Sequence, residues 1–464
     1  MAKEHVIIGG GPAGLYAIET IREYDKESPI TLVCDEPAYS RMSLPYYIAG
    51  NIPEGHLMTG SPEYFQGMNV RTVLGKRANA VDSKGNRVTL DDGSQLPYDS
   101  LLIATGSGAQ RLPIPGADQP NVINLWTLDD AKKALGKAKA GASVVFIGAG
   151  FIGFIILNAM AKVGCRLSVV EIEEQILPRM LDAPAAGLVR KWLTDKGVGV
   201  FTDTRVTEIG QLADGRKNVR LSDGRALTAD LVIMATGIRP NIDLVQGSDI
   251  KTAQGILVNN HLQTSVANVY AAGDVAQGPD LSTGQQEIHA IQPTAQDHGR
   301  IAGANMAGQS LAYEGSLLMN ILDVVGVHCS SFGVWRDDGR EVKTISNPSR
   351  PVYRKLLFEG DRIVGAILAG PAEDVSMLND MGMVKGFIQS KTPLGAWKAY
   401  LLKNPLDIRR PYIACRVAEK LLQSTLLKIP TPNRKYRFRN LQPVVKPNPA
   451  HAVLVGTRPA VERL

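Results

Sequence analysis

Cysteine is scarce and scattered. The 464-residue chain holds four, Cys34, Cys165, Cys329 and Cys415, with no Cys-x-x-Cys pair and no metal-ligand spacing. This excludes an iron–sulfur cluster or a vicinal dithiol held by the chain alone, and the four thiols read as reduced core residues. Long apolar runs are missing too. The start, Met1-Ala2-Lys3-Glu4-His5-Val6-Ile7-Ile8, has no apolar signal core followed by a small-residue cleavage site. The run from Phe151 to Ala161 is broken by Gly153 and Asn158 and falls short of a bilayer span. No membrane span and a cytoplasmic location are therefore expected.

Positive charge is abundant in one place only. The net charge is +6, yet residues 428–464 alone carry Lys428, Arg434, Lys435, Arg437, Arg439, Lys446, Arg458 and Arg463 against Glu462, so this tail is +7 and the rest is −1. Basicity reads as a property of the tail, and a near-neutral body argues against a nucleic-acid-binding enzyme. Pro430, Pro432, Pro443, Pro447 and Pro449 make the tail read as extended, ordered only against a partner.

What the chain does have is a repeated strand–helix–strand pattern. Residues 4–9 read as a short buried strand, 12–24 as a helix and 30–34 as a second strand. Strand-like pieces follow at 70–74, 87–90 and 99–104, with Asp91-Asp92-Gly93 as a turn; Leu112-Pro113-Ile114-Pro115-Gly116 marks a domain crossing. The pattern restarts after Gly141 with strand 144–147, helix 151–163, strand 167–170 and strand 231–234. Residues 256–258 and 269–272 read as strands returning to the first sheet. From about 321 strands at 352–358 and 363–368, then helices, suggest a third, α+β domain.

Each restart carries a glycine fingerprint. Gly9-Gly10-Gly11-Pro12-Ala13-Gly14 fits G-x-G-x-x-G directly after an apolar strand. In that motif the first glycine makes the tight turn, the second lets backbone touch a pyrophosphate, and the third lets helix approach sheet. The phosphates rest on the helix N-terminus, where unpaired N–H groups and the dipole favour anions. Asp35-Glu36 ends the next strand, where a ribose-binding carboxylate belongs; the sequence leaves open which of the two serves. Gly148-Ala149-Gly150-Phe151-Ile152-Gly153 repeats the fingerprint, with Glu171 ending the following strand. A carboxylate there accepts from both ribose hydroxyls and repels a 2′-phosphate, which favours NAD over NADP.

With these motifs the chain resembles the pyridine nucleotide-disulfide oxidoreductases, flavoproteins with two dinucleotide-binding domains. Ala104-Thr105-Gly106 and Ala235-Thr236-Gly237-Ile238-Arg239-Pro240-Asn241 match its domain crossings, and Thr264 to Val275, with Tyr270-Ala271-Ala272-Gly273-Asp274, is the most specific segment. The resemblance covers roughly residues 4–425. It implies an α/β fold with two Rossmann-like three-layer dinucleotide-binding domains, a C-terminal α+β interface domain and an extended basic tail. The limits read as 1–113 with 240–320 for FAD, 114–239 for NAD, 321–427 for the interface domain and 428–464 for the tail. It further implies FAD on Gly9, Gly11, Pro12, Ala13, Gly14, Asp35, Glu36, Arg41, Ala78, Thr105, Gly106, Gly273, Asp274, Thr294 and Ala295. NAD falls to Gly148, Gly150, Phe151, Ile152, Gly153, Glu171, Thr236 and Gly237. Asp274 would hydrogen-bond the ribityl chain, Gly273 would lie beside the phosphate, and Pro293 to Gln296 would pack near the flavin ring.

Two departures matter. Arg41-Met42-Ser43-Leu44-Pro45-Tyr46-Tyr47 looks like a segment in which NADH oxidases and coenzyme A-disulfide reductases place a redox cysteine, and Met42 stands there instead. A thioether forms neither sulfenate nor mixed disulfide, so electrons must leave the flavin directly. Ile155 replaces a glutamate that relatives place near the nicotinamide amide. Hydride transfer between the cofactors needs proximity, stacking and water exclusion, so no side chain is assigned as catalytic. His298 and His328 read as structural. The missing cysteine and the basic tail make the chain resemble the flavin subunits of anaerobic 2-oxoacid oxidoreductases of the phenylglyoxylate dehydrogenase type, or of aldehyde oxidoreductases, with an iron–sulfur partner supplying single electrons. A stand-alone NADH oxidase, a ferredoxin or rubredoxin reductase, and a non-enzymatic FAD/NAD-binding protein are the alternatives.

Overall fold

The computed structural model describes residues 3–425; the basic tail 428–464 and its expected extended form lie outside the described residues. His5–Ile8 is buried along its whole length, and a strand covered on both faces belongs inside a parallel sheet. It lies there, in the order Val269–Ala271, Ser100–Ile103, His5–Ile8, Ile30–Cys34, Val70–Leu74, every pair parallel. Helix Pro12–Tyr24 is the crossover, and helix Gln292–Met306 packs on it. A Cβ on Gly299 would meet Ala13 O at 2.3 Å and one on Gly303 would meet Ala17 O at 2.6 Å, so two glycines a turn apart bring the backbones into contact.

The second unit repeats the plan: Gly199–Phe201, Arg166–Val170, Ser143–Ile147, Leu231–Met234 and Val122–Ile123 form another all-parallel sheet, with helix Phe151–Val163 as its crossover. The chain passes between the units on a two-stranded antiparallel ribbon, Ser107–Ala109 with Ile238–Pro240. Beyond them lies an antiparallel sheet ordered Met319–Val324, Val327–Gly333, Arg362–Pro371, Val352–Glu359, Glu341–Asn347, covered by helix Val375–Ser390. It is tied to the second unit through Asp182, which caps helix Ala183–Asp195, accepts from Tyr353 Oη at 2.7 Å and pairs with Lys355 Nζ at 3.2 Å. No helix among the described residues is long and apolar enough to cross a membrane.

Three expectations are corrected. Residues 256–258 do not return to the first sheet: Ile256–Leu257 pairs in parallel with Ala276–Gln277 in a small separate sheet. The third sheet begins at Met319, and three of its five strands show too little alternation to be read from sequence. Basicity is not confined to the tail: residues 391–421 carry seven basic and two acidic side chains, and Lys391, Lys403, Arg409, Arg410, Arg416 and Lys420 are exposed.

His5 is fully buried with neither ring nitrogen hydrogen-bonded, and burial lowers its pKa to about 4. The unfolded chain therefore binds this proton from about pH 6.5 downward while the folded chain does not, so stability falls as pH drops through the window from about 6.5 to 4. At about 1.4 kcal/mol per pKa unit, this residue accounts for about 3 kcal/mol of that loss. Urea unfolding of His5→Leu from pH 7 to 4 should show a correspondingly shallower fall; an unchanged slope would refute the assignment.

Candidate functional site

Within the first glycine turn the three glycines are required for different reasons. Gly9 has φ +112° and a Cβ there would lie 2.1 Å from Ala104 O; a Cβ on Gly14 would lie 2.0 Å from Gly9 O. The protein's own backbone demands both. Gly11 is different: its φ of −75° suits any residue and nothing lies within 4 Å of a Cβ. Space there is kept for something that is not protein. The second turn repeats this: Gly148 (φ +100°) would strike Ala235 O at 2.5 Å, Gly153 would meet Gly148 O at 3.0 Å, and Gly150 faces open space.

Helices Pro12–Tyr24, Phe151–Val163 and Gln292–Met306 start without a side-chain cap, whereas Thr127, Asp182 and Asp374 cap the helices that follow them. The first residues of these three helices, Pro12, Phe151 and Gln292, line one cavity of about 690 Å³. Bare N–H groups and positive dipole ends there suit an anionic ligand.

Thirteen of the fifteen residues expected around FAD line this cavity: Gly9, Gly11, Pro12, Ala13, Asp35, Glu36, Arg41, Ala78, Thr105, Gly106, Gly273, Asp274 and Ala295. The other two do structural work, Gly14 against the Gly9 carbonyl and Thr294 buried in its helix. Of the residues expected around NAD, Phe151 and Ile152 line this same cavity, together with Ile155 and Ile156. Gly148, Gly150, Gly153, Glu171, Thr236 and Gly237 do not, and cluster at the carboxyl end of the second sheet. Helix Phe151–Val163 thus reaches from the second turn into the wall of the cavity beside the first.

Polar partners fix the lining. Glu36 accepts from Arg41 Nη2 at 2.7 Å and from Tyr39 Oη at 3.0 Å, and Tyr39 Oη accepts from Leu128 N at 3.0 Å. Burial pushes the Tyr39 phenol up to about 12. Arg41 also lies over the Trp126 ring, 5.7 Å from its centroid. Asp35 pairs with Arg77, at 3.8 Å. Asp274 accepts from Ser107 Oγ at 2.8 Å, and burial raises its carboxyl pKa. The Ser107 carbonyl accepts from Trp126 Nε1 at 2.9 Å. Thr105 and Asn241 hydrogen-bond each other twice, each at 2.9 Å, and Thr236 Oγ1 donates to Gln110 O at 2.8 Å. Glu171, nearly buried, accepts from Ala149 N at 2.6 Å and Glu173 N at 3.1 Å, so it braces the second turn.

Sequence reading missed Tyr39, Ser107, Trp126 and Asn241. Asn241 closed a quoted motif and Ser107 adjoins Ala104-Thr105-Gly106, so both were within reach; Tyr39 and Trp126 carry no local signal. His298 is buried beneath Gly273, and His328 is half-buried on Val327–Gly333, outside the cavity lining. Among the described residues no cluster of His, Cys, Asp or Glu could hold a metal ion.

Comparison with known proteins fits this geometry. Residues 3–299 match the family model for pyridine nucleotide-disulphide oxidoreductases, and residues 319–383 match the rubredoxin NAD+ reductase C-terminal domain. The chain belongs to the pyridine nucleotide-disulphide oxidoreductase family, whose members bind FAD and NAD(H), and is an NAD(H)-dependent flavin oxidoreductase. It is 33% identical to the NADH-dependent phenylglyoxylate dehydrogenase subunit epsilon of Aromatoleum evansii over 88% of this chain and 96% of that one. It is 31% identical to the nitrite reductase [NAD(P)H] of Bacillus subtilis (strain 168) over 82% of its own length, spanning 47% of that protein. The fold matches putidaredoxin reductase in its covalent complex with putidaredoxin, with a TM-score of 0.80 at 23% identity over 90% of this chain and 100% of that one.

Proposed function

We propose that this chain exchanges a hydride between NAD(H) and FAD, and single electrons between FAD and an iron–sulfur partner, as the NAD-reducing flavin subunit of a multi-subunit 2-oxoacid or aldehyde oxidoreductase. The observation that carries the first half is the shared wall: Phe151, Ile152, Ile155 and Ile156, from the helix of the second fingerprint, line the cavity of the first. Bound flavin supplies the two-electron to one-electron conversion. The chain supplies binding, orientation and water exclusion.

In this reading the cavity residues hold FAD, with the open face of Gly11 against its pyrophosphate. Asp35 or Glu36 receives the ribose, Glu36 offering Oε1 while its Oε2 is engaged by Arg41 and Tyr39. Gly148, Gly150, Gly153, Glu171, Thr236 and Gly237 hold NAD. Ile155 leaves nicotinamide placement to shape, its apolar neighbours excluding water. The FAD domain is 1–113 with 240–318, the NAD domain 114–239, and the interface domain begins at Met319.

The second half rests on what the chain does not offer the flavin. Met42, 45% exposed, lines the cavity where the redox cysteine would stand, and the thiol that the lining does contain is that of the buried Cys34. The four cysteines are unpaired; burial pushes the Cys34 thiol up to about 12 and raises Cys329, Cys165 and Cys415 as well. Such thiols are poor nucleophiles at neutral pH. Arg409, Arg410, Arg416 and Lys420 are exposed cations suited to an acidic partner, and the sequence after them, 428–464, carries a net +7. The likeness to a phenylglyoxylate dehydrogenase subunit extends over nearly the full length of both chains.

Native mass spectrometry with iron analysis tests this on the complex purified from cells. This chain should appear with FAD and an iron-containing partner, and NADH should reduce the partner's clusters. A chain isolated alone and iron-free would overturn the subunit reading, and rapid air oxidation of its reduced flavin would replace it with an oxidase.

A further inference from the structure

Asp274 lies in the short turn Gly273–Val275, whose internal hydrogen bond, Ala276 N to Gly273 O, leaves the Gly273 N–H to seek a partner elsewhere. Gly273 sits at φ +78°, wedged so that a Cβ would lie 3.3 Å from Ala13 Cβ and 3.5 Å from Ala295 Cβ. Its N–H points away from the cavity and donates to His298 Nδ1 at 3.3 Å. An amide can only donate, so Nδ1 carries the lone pair and the imidazole proton sits on Nε2. Nε2 in turn donates to Ser316 Oγ at 3.1 Å, and Ser316 Oγ shares a hydrogen bond with Tyr313 Oη at 3.1 Å. The Tyr313 ring stands edge-on to the imidazole at 5.2 Å. Ser316 is itself fixed by backbone, Leu281 N donating to its carbonyl at 2.8 Å and its N–H to Pro279 O at 2.9 Å. The whole chain of contacts is buried, and the adjacent Gly299 locks the helix carrying His298 against helix Pro12–Tyr24.

We propose that His298 is a positioning residue of the flavin site, its unprotonated Nδ1 pinning the left-handed Gly273 turn that directs Asp274 into the cavity. This rests on the assignment of Asp274 to the flavin. The imidazole is suited to the task because burial lowers its pKa to about 3, so the acceptor persists at every pH at which the protein works. Neither Ser316 nor Tyr313 reaches Gly273 in its place; they set the tautomer. His298 touches neither cofactor nor reacting atoms and acts through the turn.

Three variants of the full-length protein test it, read by the FAD dissociation constant of reconstituted apoprotein, the visible spectrum and the flavin midpoint potential. His298→Leu fills the space without an acceptor, while His298→Asn places Oδ1 where Nδ1 lies. Leu should weaken FAD binding roughly tenfold and shift both spectrum and potential, while Asn should stay within about threefold of wild type. Equal impairment by Leu and Asn would reduce His298 to packing and overturn the inference, as would a Leu variant with unchanged affinity and potential. Asp274→Ala separates this from the site reading. If it weakens FAD and His298→Leu does not, only the positioning role falls; if neither changes FAD binding, the assignment of Asp274 falls with it.

Discussion

Gly11→Val should purify folded and colourless. At φ −75° and ψ −175° the position is extended backbone that valine favours, and its Cβ would meet nothing within 4 Å. The apoprotein should therefore melt close to wild-type apoprotein. What the substitution fills is the space kept beside the uncapped helix Pro12–Tyr24. It pushes a pyrophosphate off the N–H groups that would hold it. Losing two charge-assisted hydrogen bonds costs about 3–6 kcal/mol, roughly a hundredfold to ten-thousandfold in FAD affinity. Gly9→Ala is the contrast: its Cβ would stand 2.1 Å from Ala104 O at φ +112°, so that variant should lose fold and flavin together. A yellow Gly11→Val protein with one FAD per chain would sink the reading of the first site.

The contrast shows what was legible in the sequence. The glycine spacing announced two turns, and the parallel strands beside them could be placed within a residue or so, because a strand buried on both faces is an unbroken apolar run. Helices 12–24 and 151–163 were read with the limits the structure gives them. The short and half-exposed elements were not. Ile256–Leu257 has too little pattern to choose a sheet, and Glu341–Asn347, a sheet edge with exposed and half-buried residues in no strict alternation, looks like loop. In the site, residues that touch the cavity through a local motif were found. Tyr39 and Trp126, 87 residues apart, meet around Arg41 only because the second unit folds back over the first. Spacing carries no information about that encounter. Asp35 and Glu36 were inseparable in sequence; in the fold Glu36 Oε2 is held by Tyr39 and Arg41.

The second fingerprint invites the complementary result: Gly150→Val should stay yellow but no longer be reduced by NADH. Gly150 is extended at φ −84°, caps helix Phe151–Val163 without a side-chain acceptor, and has nothing within 4 Å of a Cβ. It does not line the flavin cavity. Valine there leaves sheet, helix and flavin untouched while occupying the approach of a dinucleotide pyrophosphate. By the same hydrogen-bond arithmetic the apparent NADH affinity falls roughly a hundredfold or more, and dithionite, which needs no binding site, still bleaches the flavin at the wild-type rate. The pairing of outcomes is what discriminates. One variant without flavin and another with flavin but deaf to NADH require two separate phosphate sites whose contents meet at Phe151, Ile152 and Ile155. If NADH reduces Gly150→Val as fast and at the same concentrations as wild type, the second turn is a fold element only, and the nicotinamide cofactor must enter elsewhere.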